Sequence, residues 1–405
     1  MEIAITNKLH VFIEKNTMLK PLIYVVWASM FVAYLRSFFN RFPILQDNVE
    51  VAIAVYFAIP VIIALPVLIR KFSIVDYFFY FINVTYLLAN YAFFPDNTEY
   101  LNEEVLLCIF CIFPFYFIGR LIDIEKTYNA FLILSTLCIF LDIFYFMVYA
   151  QANRNMQEVA GGDENMYAAY QLLPHVTFIL WATLSKFRIW KAFVLLIGIV
   201  FLLSCGTRGP LVCLGFFGII YFFFYLNFKG ALYIKLGIVT FGVIILVNLE
   251  AIVLYLAQMF TGLQLSTRIL EKFLTGELGN DSYRSILRDK LYGVLDNGDH
   301  FFGLGIFGCR NYDIIYPHAL HLDFFCTYGY VVGSILLILL FTLIGWAFWA
   351  TKGKLSQQFL LFLFSICIIK LFLSNTFILE PYFFMLIGFC VREVFFNKSP
   401  KGERV

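Results

Sequence analysis

Apolar residues run along the chain in long blocks separated by short polar loops. Most blocks reach ~18 residues or more, enough to cross ~30 Å of hydrocarbon as a helix. Spans are predicted near 21–39, 51–69, 72–94, 104–119, 128–150, 167–185, 192–206, 209–228, 235–257, 322–350, 357–375 and 381–396. Hydrocarbon offers the backbone no water to bond, so such blocks cross it as helices. The expected fold is an all-α polytopic integral membrane protein with about twelve transmembrane helices.

One block tests the pattern. IVFLLSCGTRGPLVCLGFFGII (199–220) holds Thr207, Arg208, Gly209 and Pro210 near its middle. As a single span, 190–228 is too long and moves every later loop to the other side. Split in two, it leaves Arg70, Lys71, Arg120, Lys126, Lys186, Arg188, Lys191, Lys229, Lys352 and Lys354 on one side with Arg392, Lys398, Lys401 and Arg404 of the tail. That cation excess marks the side as cytoplasmic, with both termini there. The opposite short loops hold Arg41 and Arg154 among Asp47, Asp96, Glu99, Asp163 and Glu164. Arg208 then opens a helix at the outer surface, where glycine turns the chain and proline is tolerated in the first helical positions. The N-terminal MEIAITNKLHVFIEKNTMLK is polar and mildly basic, so the first span is expected to act as its own insertion signal.

Residues 258–320, between the ninth and tenth spans, form one long outer loop. Loops of that length carry function or structure of their own. The chain thus divides into spans one to nine (1–257), this loop (258–320), spans ten to twelve (321–396) and a cytoplasmic tail (397–405). DSYRSILRDKLYGVL (281–295) reads as an amphipathic helix, capped by Asp281 or Ser282, with Leu287, Leu291, Val294 and Leu295 on one face. Arg284 and Arg288 flank that face, as in a helix lying on a membrane surface. FFGLGIFG (301–308) and YPHALHLDFFCTYGYVVG (316–333) follow.

Composition agrees with this organisation. The chain is 62% hydrophobic, 20% aromatic and 14% charged, where soluble domains carry about a quarter charged residues. Fifty phenylalanines exceed what one soluble core can hide. The net charge of +2 says little beside its distribution. Eight of nine cysteines, all but Cys309, fall in or at the ends of spans. Cys108 and Cys111 have CxxC spacing inside an apolar helix, without the further ligands a zinc site needs, and no disulfide framework follows.

Several residues can carry chemistry. Arg208, Arg284 and Arg288 face outward, where cations are sparse. A guanidinium grips phosphate oxygens bidentately, and two across a cleft suit a pyrophosphate. Lipid headgroups or loop carboxylates such as Asp281 and Asp289 are the alternative partners. His318 and His321 have i, i+3 spacing but no third ligand, so no metal is expected. A neutral imidazole there can serve as a general base or simply line the interface. In the sixth span Tyr167, Gln171 and His175 share one face, either to hold sugar or to bond a neighbouring helix. Asp142, Glu250 and Lys370 suit a transporter's ion relay or pairing within the bundle. Gly303, Gly305 and Gly308 follow no strand and make a weak phosphate loop.

In order along the chain, three pieces resemble the O-antigen polymerase and O-antigen ligase superfamily. SCGTRGPLVCLG is similar to its serine–arginine–glycine element opening a helix. DSYRSILRDKLYGVL with FGLGIFG is similar to its loop arginine and later Gly-x-Gly. PHALHLDFFCTYGYVVG resembles its Pro-His-Asn, hydrophobic start and paired glycines. The resemblance covers about residues 200–335. Ala319 stands where the family commonly has Asn, and Ser282-Tyr283 precede Arg284, leaving Arg288 as its competitor. The resemblance implies a metal-independent glycosyltransferase with a GT-C-like fold, needing no cofactor, at the outer face of the inner membrane. Arg208 and Arg284 would hold the pyrophosphate of an undecaprenyl-pyrophosphate-linked oligosaccharide, and His318 would lie beside the reacting carbon or the acceptor hydroxyl. Arg288, His321, Tyr167, Gln171 and His175 would contact substrate. Membrane lipid, a chain-length regulator and a flippase are the expected partners, and nucleic acid is not.

A polymerase extends one lipid-linked repeat with another, whereas a ligase transfers polymer to lipid A core. The long loop is not net basic, as Arg268, Lys272, Arg284, Arg288, Lys290 and Arg310 stand among Glu271, Glu277, Asp281, Asp289, Asp296, Asp299 and Asp313. That balance favours a polymerase over an enzyme facing phosphorylated core sugars. A lipid-linked oligosaccharide flippase is the rival of another class. Transporters commonly show two related halves, however, and this chain has one asymmetric loop.

Overall fold

The computed structural model describes residues 69–145, 163–226 apart from Gly206, 248–262, 284–297 and 302–396, with a few isolated positions besides. The predicted spans at 21–39 and 51–69, and most of that at 235–257, lie outside this set. Among the described residues the chain is helical, without strands. Its principal helices are α1 (Ile74–Phe93), α2 (Thr98–Leu121), α3 (Ile124–Tyr145), α4 (Asp163–Ser185), α5 (Ile189–Ser204), α6 (Arg208–Phe224), α7 (Leu249–Gly262), α8 (Arg284–Asn297), α9 (Leu320–Ala350), α10 (Leu355–Leu373) and α11 (Pro381–Val391).

Local chemistry sets several of these ends. Ser73 and Asp76 form a capping box: Asp76 N–H donates to Ser73 Oγ at 3.4 Å, and Ser73 N–H to Asp76 Oδ2 at 2.9 Å. α5 and α6 are separate helices: α5 ends at Ser204, Thr207 is extended, and Arg208 is the first residue of α6. The contacts of α4 show that the chain reverses there. Near its start Tyr170 packs on Gly209 of α6, and at its end Ser185 Oγ lies 2.8 Å from Tyr221 Oη. Lys191, early in α5, donates instead to the Ala182 carbonyl late in α4 at 2.8 Å. α4 therefore runs parallel to α6 and antiparallel to α5.

α4 is the centre of the bundle. Leu172, Leu173, Val176, Phe178, Ile179 and Trp181 are fully buried. Phe178 meets Trp181 at 5.2 Å and Phe362 of α10 at 5.7 Å, both edge to face. Each such pair contributes ~0.5–1.5 kcal/mol beyond burial. Lipid tails are as apolar as these rings, so fit rather than water exclusion selects the helix partners. α2 and α11 pack closest, through two glycines. A Cβ on Gly388 would strike the Tyr116 carbonyl, and one on Gly119 the Met385 carbonyl.

α9 is broken. Gly329 has φ 78° and ψ 168°, which splits the helix into a short first piece and a long second one. From Tyr330 to Ala350 the second piece rises about 30 Å and can cross a bilayer unaided. Carbonyls near the break are bonded: Leu304 N–H donates to Cys326 O at 2.5 Å and Tyr86 Oη to Thr327 O at 2.5 Å. Such bonding lets a helix break at membrane depth.

Helices Pro95–Leu121, Ile124–Leu141, Leu320–Ala350 and Leu355–Leu373 are long and apolar enough to cross a membrane, and Ile189–Ser204 and Arg208–Phe224 are shorter apolar helices. Phe78, Phe81, Ile133, Phe193, Ile338 and Trp349 point outward, a surface suited to lipid rather than water. The chain is thus an all-helical protein with the character of a membrane protein. Its cations sort by end. Arg120, Lys126, Lys186, Arg188, Lys191, Lys352, Lys354 and Arg392 lie at the end shared by the starts of α1, α3, α5 and α10 and the finishes of α2, α4, α6, α9 and α11.

The α2–α11 contact has a direct check. Gly388→Leu is expected to cost about 3 kcal/mol, the upper end of overpacking penalties, and to lower the melting temperature in detergent. Gly215→Leu, at a position with nothing within 4 Å, is expected to leave it unchanged. Equal melting of the two variants would contradict the close approach.

Candidate functional site

The end opposite the cation-rich one gathers the chemistry. α6 delivers Arg208 as its first residue, with Thr207 as N-cap. Gly209 follows because a Cβ there would land on the Tyr170 hydroxyl, and Pro210 fits the first turn. The Arg-Gly-Pro sequence thus combines a cation, a close contact and a helix start.

α8 delivers Arg284, its first residue, and Arg288 one turn later. Its apolar face packs on the rest of the chain. Leu291 and Leu295 are buried against Leu304, Cys309, Ile314, Ala319, Leu322 and Cys326. Three bonds clasp the helix: Lys290 Nζ to Tyr312 O at 2.6 Å, Tyr292 Oη with His321 Nε2 at 3.0 Å, and Tyr330 Oη to Asp296 Oδ1 at 2.8 Å. Burial pushes the Tyr292 phenol up, against the opposing pull of Arg288.

The segment between α8 and α9 is a packed wedge. Gly303 to Cys309 are all buried. Asn97 Nδ2 donates to Leu304 O at 2.7 Å and Ile306 N–H to Asn90 Oδ1 at 2.7 Å. Gly303 (φ 76°) backs onto Cys326 and Gly329, and Gly305 (φ 78°) onto Asn90 and Phe94. These glycines serve close packing, and the N–H groups of Leu304 and Ile306 are already bonded within the chain. Arg310 is likewise engaged, 3.1 Å from Glu104 and 4.5 Å over the Phe307 ring.

The wedge ends at Tyr316 and His318. His318 is half-buried with φ 59°, left-handed and unusual for a non-glycine residue. Its ring centroid is 4.4 Å from that of Tyr316. Ser374 Oγ donates to Tyr316 Oη at 3.5 Å. Asn375, next along, has φ 75°. Such outliers concentrate where a structure holds working groups. Tyr170 is the other hub: Arg284 and Tyr316 act on its hydroxyl electrostatically, and Lys370 Nζ sits 5.2 Å over its ring. Arg284 and His318 are therefore linked to Tyr170 and Tyr316, Arg208 adjoins Tyr170 through its neighbour Gly209, and Arg288 and His321 both meet Tyr292.

The sixth-span stripe fares differently. His175 is fully buried in α4 and Gln171 half-buried, while the Tyr167 side chain lies outside the described residues. Lys370 lies in the last turn of α10, ion-paired with Glu380 across the turn to α11, and not at mid-membrane. Glu250 is exposed in the first turn of α7. The Asp142 side chain lies outside the described residues. Sequence reading passed over Tyr170, Tyr316, Ser374 and Glu380. A lysine ending an apolar helix, followed by SNTFILEP, was a readable sign of a charge pair across a turn. Among the described residues no three His, Cys, Asp or Glu side chains group as a metal site. An apolar groove of about 450 Å³ opens between α6, α9 and α10 at the other, cation-rich end, lined by Phe216, Phe224, Phe348, Lys352 and Phe364.

Against known proteins, no family model, curated protein or solved structure matches this chain.

All nine cysteines are free and buried. Burial, with the charge of Asp323 adding, pushes the Cys309 thiol up to about 12, so at pH 8 it stays protonated. Wild-type protein is expected to resist maleimide at pH 8. Asn97→Leu strips a buried carbonyl of its donor, at about 1–3 kcal/mol, and is expected to open Cys309 to labelling. Rapid labelling of wild type would contradict the packed wedge.

Proposed function

We propose that the chain is an O-antigen-type polysaccharide polymerase, a membrane glycosyltransferase that joins undecaprenyl-pyrophosphate-linked oligosaccharide repeats. The reaction would take place at the outer face of the inner membrane, in a GT-C-like bundle of about twelve spans with 258–320 as its outer loop. What supports this reading is that three separate motifs lead to Tyr170 and Tyr316: Gly209 beside Arg208 packs on the Tyr170 hydroxyl, Arg284 acts on it electrostatically, and the His318 ring lies against Tyr316. The concentration of cations at the opposite end supports a cytoplasmic placement for that end.

The chemistry follows from these groups. The acceptor hydroxyl oxygen attacks the anomeric carbon, and the bond from that carbon to the diphosphate oxygen breaks. The electron pair leaves with the diphosphate, which needs no proton to depart. Arg208 and Arg284 stabilise the growing charge, more strongly in a low-dielectric setting than in water. The hydroxyl proton passes to the His318 imidazole, aimed by its left-handed backbone and by the Tyr316 ring. Attack opposite the leaving group inverts the anomeric centre. No step requires a metal or cofactor.

The test is a sugar-ladder gel from cells lacking the native protein and complemented with Arg208→Ala, Arg284→Ala or His318→Ala at equal membrane levels. The expected result is collapse from many repeats to a single attached repeat, with each arginine variant at least ~100-fold less active. Loss of even the single repeat, with lipid-linked polymer accumulating, would identify a ligase. A normal ladder from all three would remove these residues from the site and return the transporter reading.

A further inference from the structure

Glu380 is 1% exposed, and its Oε2 receives both the Lys370 ammonium and Asn375 Nδ2, the latter at 3.1 Å. Its Oε1, also buried, accepts no hydrogen bond. A pair built only to join two helices would gain by satisfying both oxygens. This one is lopsided, and its lysine is the more exposed partner at 14%. Each charge is also favourably placed on its helix: Lys370 in the last turn of α10, and Glu380 as the N-cap of α11.

The direction of the lysine matters more. Its ammonium lies over the Tyr170 ring, whose hydroxyl packs on Gly209 beside Arg208 and feels Arg284. Lys370 thus sits over a tyrosine that also feels Arg284 and touches the residue after Arg208, with the buried Glu380 carboxylate beside the lysine. Cations brought to one anion reinforce each other's grip on it. An ammonium has three donors, and Glu380 occupies one.

We propose that Lys370 is a third cationic ligand of the anion bound at this end, and that Glu380 aims it and tempers its grip. The inference rests on the reading that Arg208 and Arg284 hold a diphosphate, and it adds a selector. Two guanidiniums suffice for a single phosphate group, whereas a third cation rewards the second one. Lys370 therefore discriminates diphosphate-linked from monophosphate-linked lipid. Glu380 holds the ammonium against Tyr170 and subtracts part of its charge, so the product diphosphate is not bound too tightly to leave.

The full chain, purified in detergent, is titrated with farnesyl diphosphate and farnesyl monophosphate as probes, with melting temperatures recorded in parallel. Wild type is expected to prefer the diphosphate, and Arg208→Ala to weaken both probes. Lys370→Met is expected to weaken the diphosphate ~10- to 100-fold, the worth of a charge-assisted hydrogen bond, with little effect on the monophosphate. Glu380→Gln is expected to tighten diphosphate binding, a gain that a merely structural residue would not give. A folded Lys370→Met protein with wild-type preference overturns the proposal and leaves the arginine reading intact. Absence of diphosphate binding by wild type overturns both. Should Lys370→Met fail to fold, Glu380→Gln decides alone, and unchanged or weaker binding overturns the proposal.

Discussion

An ionised group among apolar helices must find a counter-charge or reach an end of the bundle, and that cost organises this molecule. At the cation-rich end Asp76, fully buried, is held 3.5 Å from Arg120 and receives the Tyr116 hydroxyl at 2.8 Å. At the other end Glu104 takes Arg310 and Glu380 takes Lys370. Between these layers the contacts are aromatic and aliphatic, which lipid can replace except where shapes interlock. Glycine pairs and edge-to-face rings supply that interlock, so α2 binds α11 and α4 occupies the centre.

The wedge from Gly303 to His318 turns this arrangement into a site. It is irregular backbone, acceptable here because Asn90, Asn97 and the break in α9 bond its polar groups. By filling the notch at Gly329 it fixes the short first piece of α9 and with it His318 and His321. Asp323, buried in that piece, accepts from Phe377 N–H at 2.8 Å. That bond ties α9 to the turn carrying Ser374, Asn375 and Glu380. Arg284 arrives from α8, which the wedge itself covers. Segments remote in sequence are thereby held to one another by hydrogen bonds, several of them buried, and by the apolar packing of α8 on the wedge.

Much of this was legible in the chain. Helix positions followed from block length, and the split at 205–207 followed from Gly-Thr-Arg-Gly-Pro and from loop charge. Periodicity gave the apolar face of α8 but not its partner, because an amphipathic face reads the same whether lipid or protein covers it. The stripe of Tyr167, Gln171 and His175 left its two readings, substrate contact and helix bonding, open for a similar reason. α4 is surrounded on all sides, so a polar row on it need not border a cavity, and His175 is fully buried. Tyr170 matters through its contact with Gly209, which no spacing along α4 announces. Gly329 reads in the chain only as one of the paired glycines of the PHALHLDFFCTYGYVVG motif. Its left-handed conformation belongs to the approach of Gly303 from the wedge, a contact between distant residues.

The most direct measurement of the central claim is a cryo-EM map of the full chain in lipid nanodiscs saturated with undecaprenyl diphosphate. The account requires diphosphate density within ~3 Å of the Arg208 and Arg284 guanidiniums, beside Tyr170, with the lipid leaving sideways between helices. Density in the apolar groove beside Lys352 at the other end, with none near Arg208 and Arg284, would contradict it.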